Sequence, residues 1–573
     1  MSRSLFFGSV RRLLQTAWTS QRNTALNREF PDGENEPWSP SRREFLQTSA
    51  VVSLAAFVPA GLGSGCGTPS DSALPEKARI AIVGAGMAGL HCAYRLKQAG
   101  VIAKVFEANN RVGGRMFTGR GLFADGQVCE LGGEFIDSNH VAMRELATEF
   151  AITIDDLTAG ASAGLIDELF YFEGRQIPEA EIVAAFEPLA AIMATTVEAA
   201  EADDDEFERI DAMSIVEWLD EQNAAPILKK ILIEAYIGEY GLEAEEQSVF
   251  NLLYLIDYEE ADPFHIFGDS DERYHVHTGS DTLTTRLAER LEGQIELESK
   301  LLAIRELQSG DYELSLNQSG QTIKATFDHV VLAIPFTTLR QVTLDVEMDD
   351  DKREAIDEIG YGTNAKLMGG FTSRLWREDH NASGSVFTDN GIQSLWDSSR
   401  GQSGTAGLLT NYVGGKLGEA IGAGTPEERM AESLVGIEDI FAGAAQAYTK
   451  DSAVRMHWPT APFALGSYTC YRPGQWIYYG EEGRRVKNLH FCGEHCSLDF
   501  QGYMEGACET GAMVAAELLD DLALPLPAAM HRTLEHKLVL PQACYHGDQH
   551  DKLRRNQRRR LSRRPRTVLE PVS

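Results

Sequence analysis

The sequence is poor in cysteine, in positive charge and in long apolar runs, and each shortage removes a class of protein. Eight cysteines are spread over 573 residues, at positions 66, 92, 129, 470, 492, 496, 508 and 544. No spacing among them resembles a small disulfide scaffold, and a chain of this length can build a core without staples. Lys and Arg total 52 against 86 Asp and Glu, a formal net charge of −34. So acidic a body is a poor partner for nucleic acid, and its field favours a cationic ligand; solubility alone is the other reading of the charge. The uncharged stretch Thr48 to Leu62 falls short of the about 20 apolar residues that a membrane-spanning helix needs. What remains is an ordinary globular composition, 43% apolar, long enough for two or three folded units.

The scarce basic residues are unevenly placed. Lys552 to Arg566 reads KLRRNQRRRLSRRPR. Residues 523–573 are therefore expected to form a basic, solvated, disordered tail, with anionic lipid or nucleic acid as the alternative partners for that segment. At the other end, Ser41-Arg42-Arg43-Glu44-Phe45-Leu46 precedes the weakly apolar Thr48–Leu62 stretch. This resembles a twin-arginine signal, which implies a leader and linker over 1–76 and export of the folded chain by the twin-arginine machinery to the periplasm or another extracytoplasmic space. Val58-Pro59-Ala60 offers a cleavage site. Leu62 to Cys66 is a poor lipobox-like sequence in which Cys66 would carry a lipid anchor.

Residues 79–107 carry the first chemical motif. Arg79 to Val83 reads as a strand, Gly84-Ala85-Gly86-Met87-Ala88-Gly89 follows at once, Leu90 to Ala99 is helical in composition, and Val101 to Phe106 is a second strand with Glu107 at its end. This is the complete strand–GxGxxG–helix–strand–acid pattern of a dinucleotide site. Gly84 allows the tight turn, Gly86 lets the backbone approach a pyrophosphate, and Gly89 lets helix and strand pack closely. The helix N-terminus offers free N–H groups to phosphate, and Glu107 would accept from ribose hydroxyls.

The next residues choose the dinucleotide. Arg111-Val112-Gly113-Gly114-Arg115, Glu130-Leu131-Gly132-Gly133-Glu134-Phe135-Ile136-Asp137, and Cys492-Gly493-Glu494 with Gln501-Gly502-Tyr503-Met504-Glu505-Gly506 resemble, in order, segments of the flavin-dependent amine oxidase family. The resemblance runs from about 77 to 522. It implies an α/β, two-domain flavin amine oxidase fold: a Rossmann-type FAD-binding domain from 77–140, 270–345 and 465–522, with a discontinuous α+β substrate domain from 141–269 and 346–464. Non-covalent FAD is implied as cofactor. Its cradle would include Gly113, Gly114, Arg115 and Gly133, its adenine would be read by the backbone of Leu301, and its ribityl–pyrophosphate region would meet Gly493 and Glu494. The helix opening at Met504 would point at the flavin. Ser467 takes the place of the cysteine that links flavin covalently in mitochondrial monoamine oxidases, and a hydroxyl cannot form that thioether.

The resemblance also implies the catalytic parts. Lys366, in the strand-like AKLMGGF run, would hold a water beside the flavin and assist reaction with O2; an edge-strand lysine reaching solvent is the alternative. Tyr468 and Tyr503 match the two tyrosines of the family's aromatic cage. Asp137 matches a polyamine oxidase carboxylate near a cationic substrate, or else caps a helix near Val141. The implied reaction oxidises an amine to an imine that hydrolyses to a carbonyl compound, while O2 becomes H2O2. An L-amino acid oxidase, a quinone-linked dehydrogenase and a flavin-bearing binding protein without turnover are the rivals; the first needs an arginine for the substrate carboxylate, and residues 132–145 offer only Arg144, while Lys366, Tyr468 and Tyr503 argue against the last. No metal is expected: Cys492-Gly493-Glu494-His495-Cys496 lacks a second pair of ligands at a suitable spacing.

Overall fold

The computed structural model describes residues 78–159, 164–527 and 530. The paired arginines at 42 and 43, Cys66 and the basic run 552–566 all lie outside these residues.

Buried β-branched runs make the first sheet. Ile80–Val83, His329–Leu332 and Leu489–Phe491 are buried throughout, which suits parallel strands covered on both faces. With Ala103–Phe106 and Ile295–Glu296 they form a five-stranded parallel sheet. Its order runs from Ile295–Glu296 through Ala103–Phe106, Ile80–Val83 and His329–Leu332 to Leu489–Phe491. Helices Met87–Gln98 and Met504–Asp521 pack on it and on each other through alanine and leucine. After Gln294 the chain forms two strands, Ile295–Glu296 and Ser299–Glu306. Glu298 has φ of 52° between them, which turns the chain into a second sheet.

A seven-stranded mixed sheet forms the other large layer. Its strands come from Ile166–Ile177 and from Ala365–His457. Ala365–Phe371 is buried at every position and lies inside the sheet, between Gly407–Val413 and Val454–His457. An edge position for Lys366 is thereby excluded. Two long helices are Glu179–Ala202 and Pro226–Tyr240. The first is long and apolar enough to cross a membrane. It instead sets Ile182, Phe186, Leu189, Met193 and Val197 into the largest core cluster. The helix ends at Ala202, and Asp203 caps a new helix, Asp204–Asp211, by accepting from the N–H groups of Asp205 and Glu206.

Candidate functional site

One cavity of about 1430 Å³ lies among the carboxyl ends of the parallel strands, the seven-stranded sheet and the final helix. Strand ends, a glycine turn and a helix N-terminus meet there because the first strand runs directly into Gly84, whose φ of +106° only glycine adopts readily. A Cβ on Gly84 would lie 2.5 Å from the Ala333 carbonyl oxygen. A Cβ on Gly86 would meet no protein atom within 4 Å, so this backbone faces open space. The helix beginning at Met87 has no side-chain cap and no acid in its first turn, which leaves its N–H groups to an anion. Gly89 does not line the cavity: a Cβ there would sit 2.0 Å from the Gly84 carbonyl, so this glycine fixes the turn from behind.

The other cofactor-binding residues read from the sequence all line the same cavity: Gly84, Gly86, Glu107, Gly113, Gly114, Arg115, Gly133, Leu301, Gly493, Glu494 and Met504. Glu107 already accepts the N–H groups of Ala85 and Asn109, at 2.7 and 2.8 Å, which fixes its carboxylate at the strand end. Arg115 pairs with Glu494 at 2.9 Å, so its charge is balanced rather than left over for phosphate. Ser467 is buried and donates to Oδ1 of Asn364. A Cβ on Gly133 would strike Met504, which ties the glycine pair to the start of the final helix. Cys492, His495 and Cys496 go to separate contacts: the helical core, the edge of Phe336, and the carbonyl of Glu482.

Lys366, Tyr468 and Tyr503 also share the cavity. The Lys366 ammonium donates to Oε2 of Glu134 at 2.8 Å and to the Glu130 carbonyl at 3.1 Å. Strand register sets Tyr412 opposite Lys366, and the rings of Trp396 and Tyr412 stand 5.1 and 6.0 Å from its nitrogen. Burial pushes the Glu134 carboxyl up, but Lys366 and His275 outweigh that and hold it below the usual range. The Tyr468 hydroxyl bonds the Glu239 carbonyl and the Tyr412 hydroxyl, and the Tyr503 hydroxyl donates to Oε1 of Glu239 at 3.1 Å. Both tyrosines are thus held on Glu239.

Part of the lining is acidic. Asp137, Glu168, Glu239 and Glu272 all line the cavity. Asp137 is buried, accepts the Glu272 N–H at 2.9 Å, and is pushed up to about 6 by burial. It does not cap the helix Val141–Glu149; Glu505, from the first turn of the final helix, does, accepting from Ala142 and Met143. Glu272 and Glu168 face the cavity, where enclosure pushes them up to about 8 and 7. For Glu272 the charges of Asp137 and Glu239 add to the rise and Arg400 opposes it. Arg144 is absent from the lining and bonds the Ser138 carbonyl. Arg400 does line it, over Phe135. Glu134, Glu239, Glu272, Trp396, Arg400 and Tyr412 were not singled out by the sequence reading. Glu134 stood within a quoted motif, and Glu239 is a charge at the end of an apolar helix.

The family described as flavin containing amine oxidoreductase matches residues 87–519. The chain belongs to this family. The pseudooxynicotine dehydrogenase of Pseudomonas sp is 24% identical over 512 residues, 83% of this chain and 95% of that one. An L-amino-acid oxidase of Siganus canaliculatus is 25% identical over 454 residues, 77% and 85% of the two chains. The solved cyclohexylamine oxidase from Brevibacterium oxydans IH-35A superposes with a TM-score of 0.67 at 21% identity, over 78% of this chain and 100% of that one. The fold is the α/β flavin amine oxidase fold. The cofactor is FAD, bound non-covalently. The open backbone at Gly86, the uncapped helix and the cavity volume fit it, and among the described residues no cysteine lines the cavity.

Proposed function

We propose that this flavin amine oxidoreductase oxidises a cationic amine to an imine, released as a carbonyl compound after hydrolysis, with O2 reduced to H2O2. The observation that carries this reading is the set of acidic residues, Asp137, Glu168, Glu239 and Glu272, in the same cavity lining as Lys366 and the aromatic rings around it. Bound FAD supplies the two-electron acceptor that takes the hydride and gives the electrons up again. The carboxylates draw an ammonium in, and Glu272, with a carboxyl near 8, can take the proton that an ammonium must lose before hydride transfer. Tyr412, Tyr468 and Trp396 exclude water and restrict the approach of nitrogen. An ammonium has three N–H donors; Lys366 commits two, which leaves one for a water or oxygen species in the chamber.

The L-amino acid oxidase reading is favoured by one feature, Arg400 in the cavity lining, where it could face a carboxylate. A peroxide assay over diamines, monoamines and amino acids separates the two readings, and turnover with a quinone but without peroxide would replace both with a dehydrogenase. Amino acid substrates lost in Arg400→Met would put the second reading first. The paired arginines, Arg42 and Arg43, support a further part of the proposal, export of the loaded protein by the twin-arginine route.

A further inference from the structure

A second cluster of polar side chains lies in the dinucleotide-binding sheet, outside the cavity lining. His329 opens the strand that ends at Leu332, and His490 is the middle residue of the adjacent edge strand. Asp521 is the last residue of the final helix. Each offers one ligand atom, and these atoms lie within 4.8 Å of one another. We propose that this trio binds a divalent transition-metal ion, with Zn2+ the best match, and that the ion staples both strands to the end of the helix.

The protons decide what the trio can accept. His490 is fully buried. Its Nδ1 stands 3.2 Å from Oε2 of Glu517. A carboxylate only accepts, so in the neutral ring Nδ1 carries the hydrogen and Nε2 carries the lone pair. That Nε2 is buried without a hydrogen-bond partner and lies 4.0 Å from Oδ2 of Asp521, too far for a hydrogen bond. Nδ1 of His329 is likewise buried without a partner. A carboxylate behind a metal-binding imidazole fixes its tautomer in this way, and Glu517 stands where such a partner belongs.

The ligand set selects the ion. Imidazole with carboxylate suits Zn2+ and its neighbours, whereas Mg2+ and Ca2+ take oxygen. Ligand atoms about 2.1 Å from zinc stand about 3.4 Å apart, so the trio closes by about an ångström, with water as a fourth ligand. Arg485 holds Asp521 at 2.8 Å and competes for it, which weakens the site relative to a closed structural one. Positions 329, 490 and 521 are too scattered for any sequence motif. The two strands lead to Ala333 and Gly493, and the helix starts at Met504, all in the cavity wall. The ion therefore acts on the stability of that wall and takes no part in the chemistry.

The test uses the full, FAD-loaded chain after treatment with EDTA and desalting. ZnCl2 is titrated by calorimetry, bound zinc is counted by elemental analysis, and thermal unfolding is followed with and without zinc. Asp521 sits at an exposed helix end, so Asp521→Asn leaves the fold and amine oxidation intact and isolates the ligand. The wild type should hold one more zinc per chain than Asp521→Asn, or bind it at least about tenfold more tightly, and zinc should raise its Tm saturably. His490→Gln should lose the same zinc; if it fails to fold, the Asp521→Asn comparison decides. Equal zinc content and affinity in wild type and Asp521→Asn, or a Tm that zinc leaves unmoved, overturns the assignment.

Discussion

Lys366 has two roles that substitution separates. Its ammonium is the partner of Glu134, and both side chains are almost fully buried. Lys366→Met therefore strands a buried carboxylate, whose uncompensated charge costs about 3–5 kcal/mol. Lys366→Met with Glu134→Gln should recover most of that in denaturant unfolding. Neither variant should recover the oxygen half-reaction: stopped-flow traces should show reoxidation slowed about 100-fold, in the range of a lost proton-transfer group, with reduction by substrate changed far less. An unchanged oxidative step would remove Lys366 from that role. The carboxyls of the lining set a pH dependence. Asp137 near 6, Glu168 near 7 and Glu272 near 8 are neutral at low pH and charged above. A diamine, with groups titrating near 10, stays charged throughout. So kcat/KM for a dication, relative to a neutral analogue, should rise with pH across about 5 to 9. Glu272→Gln should remove the upper part of the rise and Asp137→Asn the lower; a flat profile in the wild type would contradict the electrostatic role.

Elements divide into those whose reasons are local and those whose reasons are distant. The strand–turn–helix from Ile80 to Gln98 is legible in sequence because Gly84 takes a φ of +106°, Gly86 leaves an open backbone and Gly89 answers the Gly84 carbonyl five residues away, although the Ala333 contact of Gly84 is distant. Two of those glycines should respond differently to alanine. A Cβ at Gly89 collides with the turn, so Gly89→Ala should destabilise the apoprotein by about 1–3 kcal/mol. A Cβ at Gly86 meets only open space, so Gly86→Ala should unfold like wild type yet purify with less flavin. The flavin-to-protein ratio and the apoprotein Tm check both. Of the acidic lining, only Asp137 was legible, within a family segment. Glu239, Glu272, Arg400 and Tyr412 come from separate stretches of chain, and a local pattern cannot say that a helix end, two loops and a sheet strand share one chamber. The Lys366 strand shows the same limit. Its composition gave the strand, while its interior position depends on pairing with residues about 45 and 90 positions away.

For the whole molecule, the charge of −34 acts beyond any single contact. Long-range attraction of a dication should weaken as the Debye length shrinks from about 10 Å at 0.1 M salt to about 3 Å at 1 M. kcat/KM for a diamine should fall across that range while that for a neutral analogue holds; equal responses would leave solubility as the reason for the charge. At the N-terminus, Arg42→Lys with Arg43→Lys should keep the protein cytoplasmic and yellow, because a receptor that reads guanidinium does not accept ammonium. Fractionation that finds the double variant exported would contradict the twin-arginine reading.

The parallel sheet that carries the cofactor site joins Ile80–Val83 to His329–Leu332 and then to Leu489–Phe491, and the final helix begins only at Met504. In time as well as space, the site is finished last. A chain leaving the ribosome from its N-terminus shows its glycine turn early and cannot close the pocket around it until nearly all of the body has been made. Flavin capture should therefore come late in synthesis, and nascent chains ending before Leu489 should emerge colourless however much FAD surrounds them. Such chains would offer quality control an easy mark: an acidic, half-built sheet with one open edge, told from the finished protein by the absence of yellow.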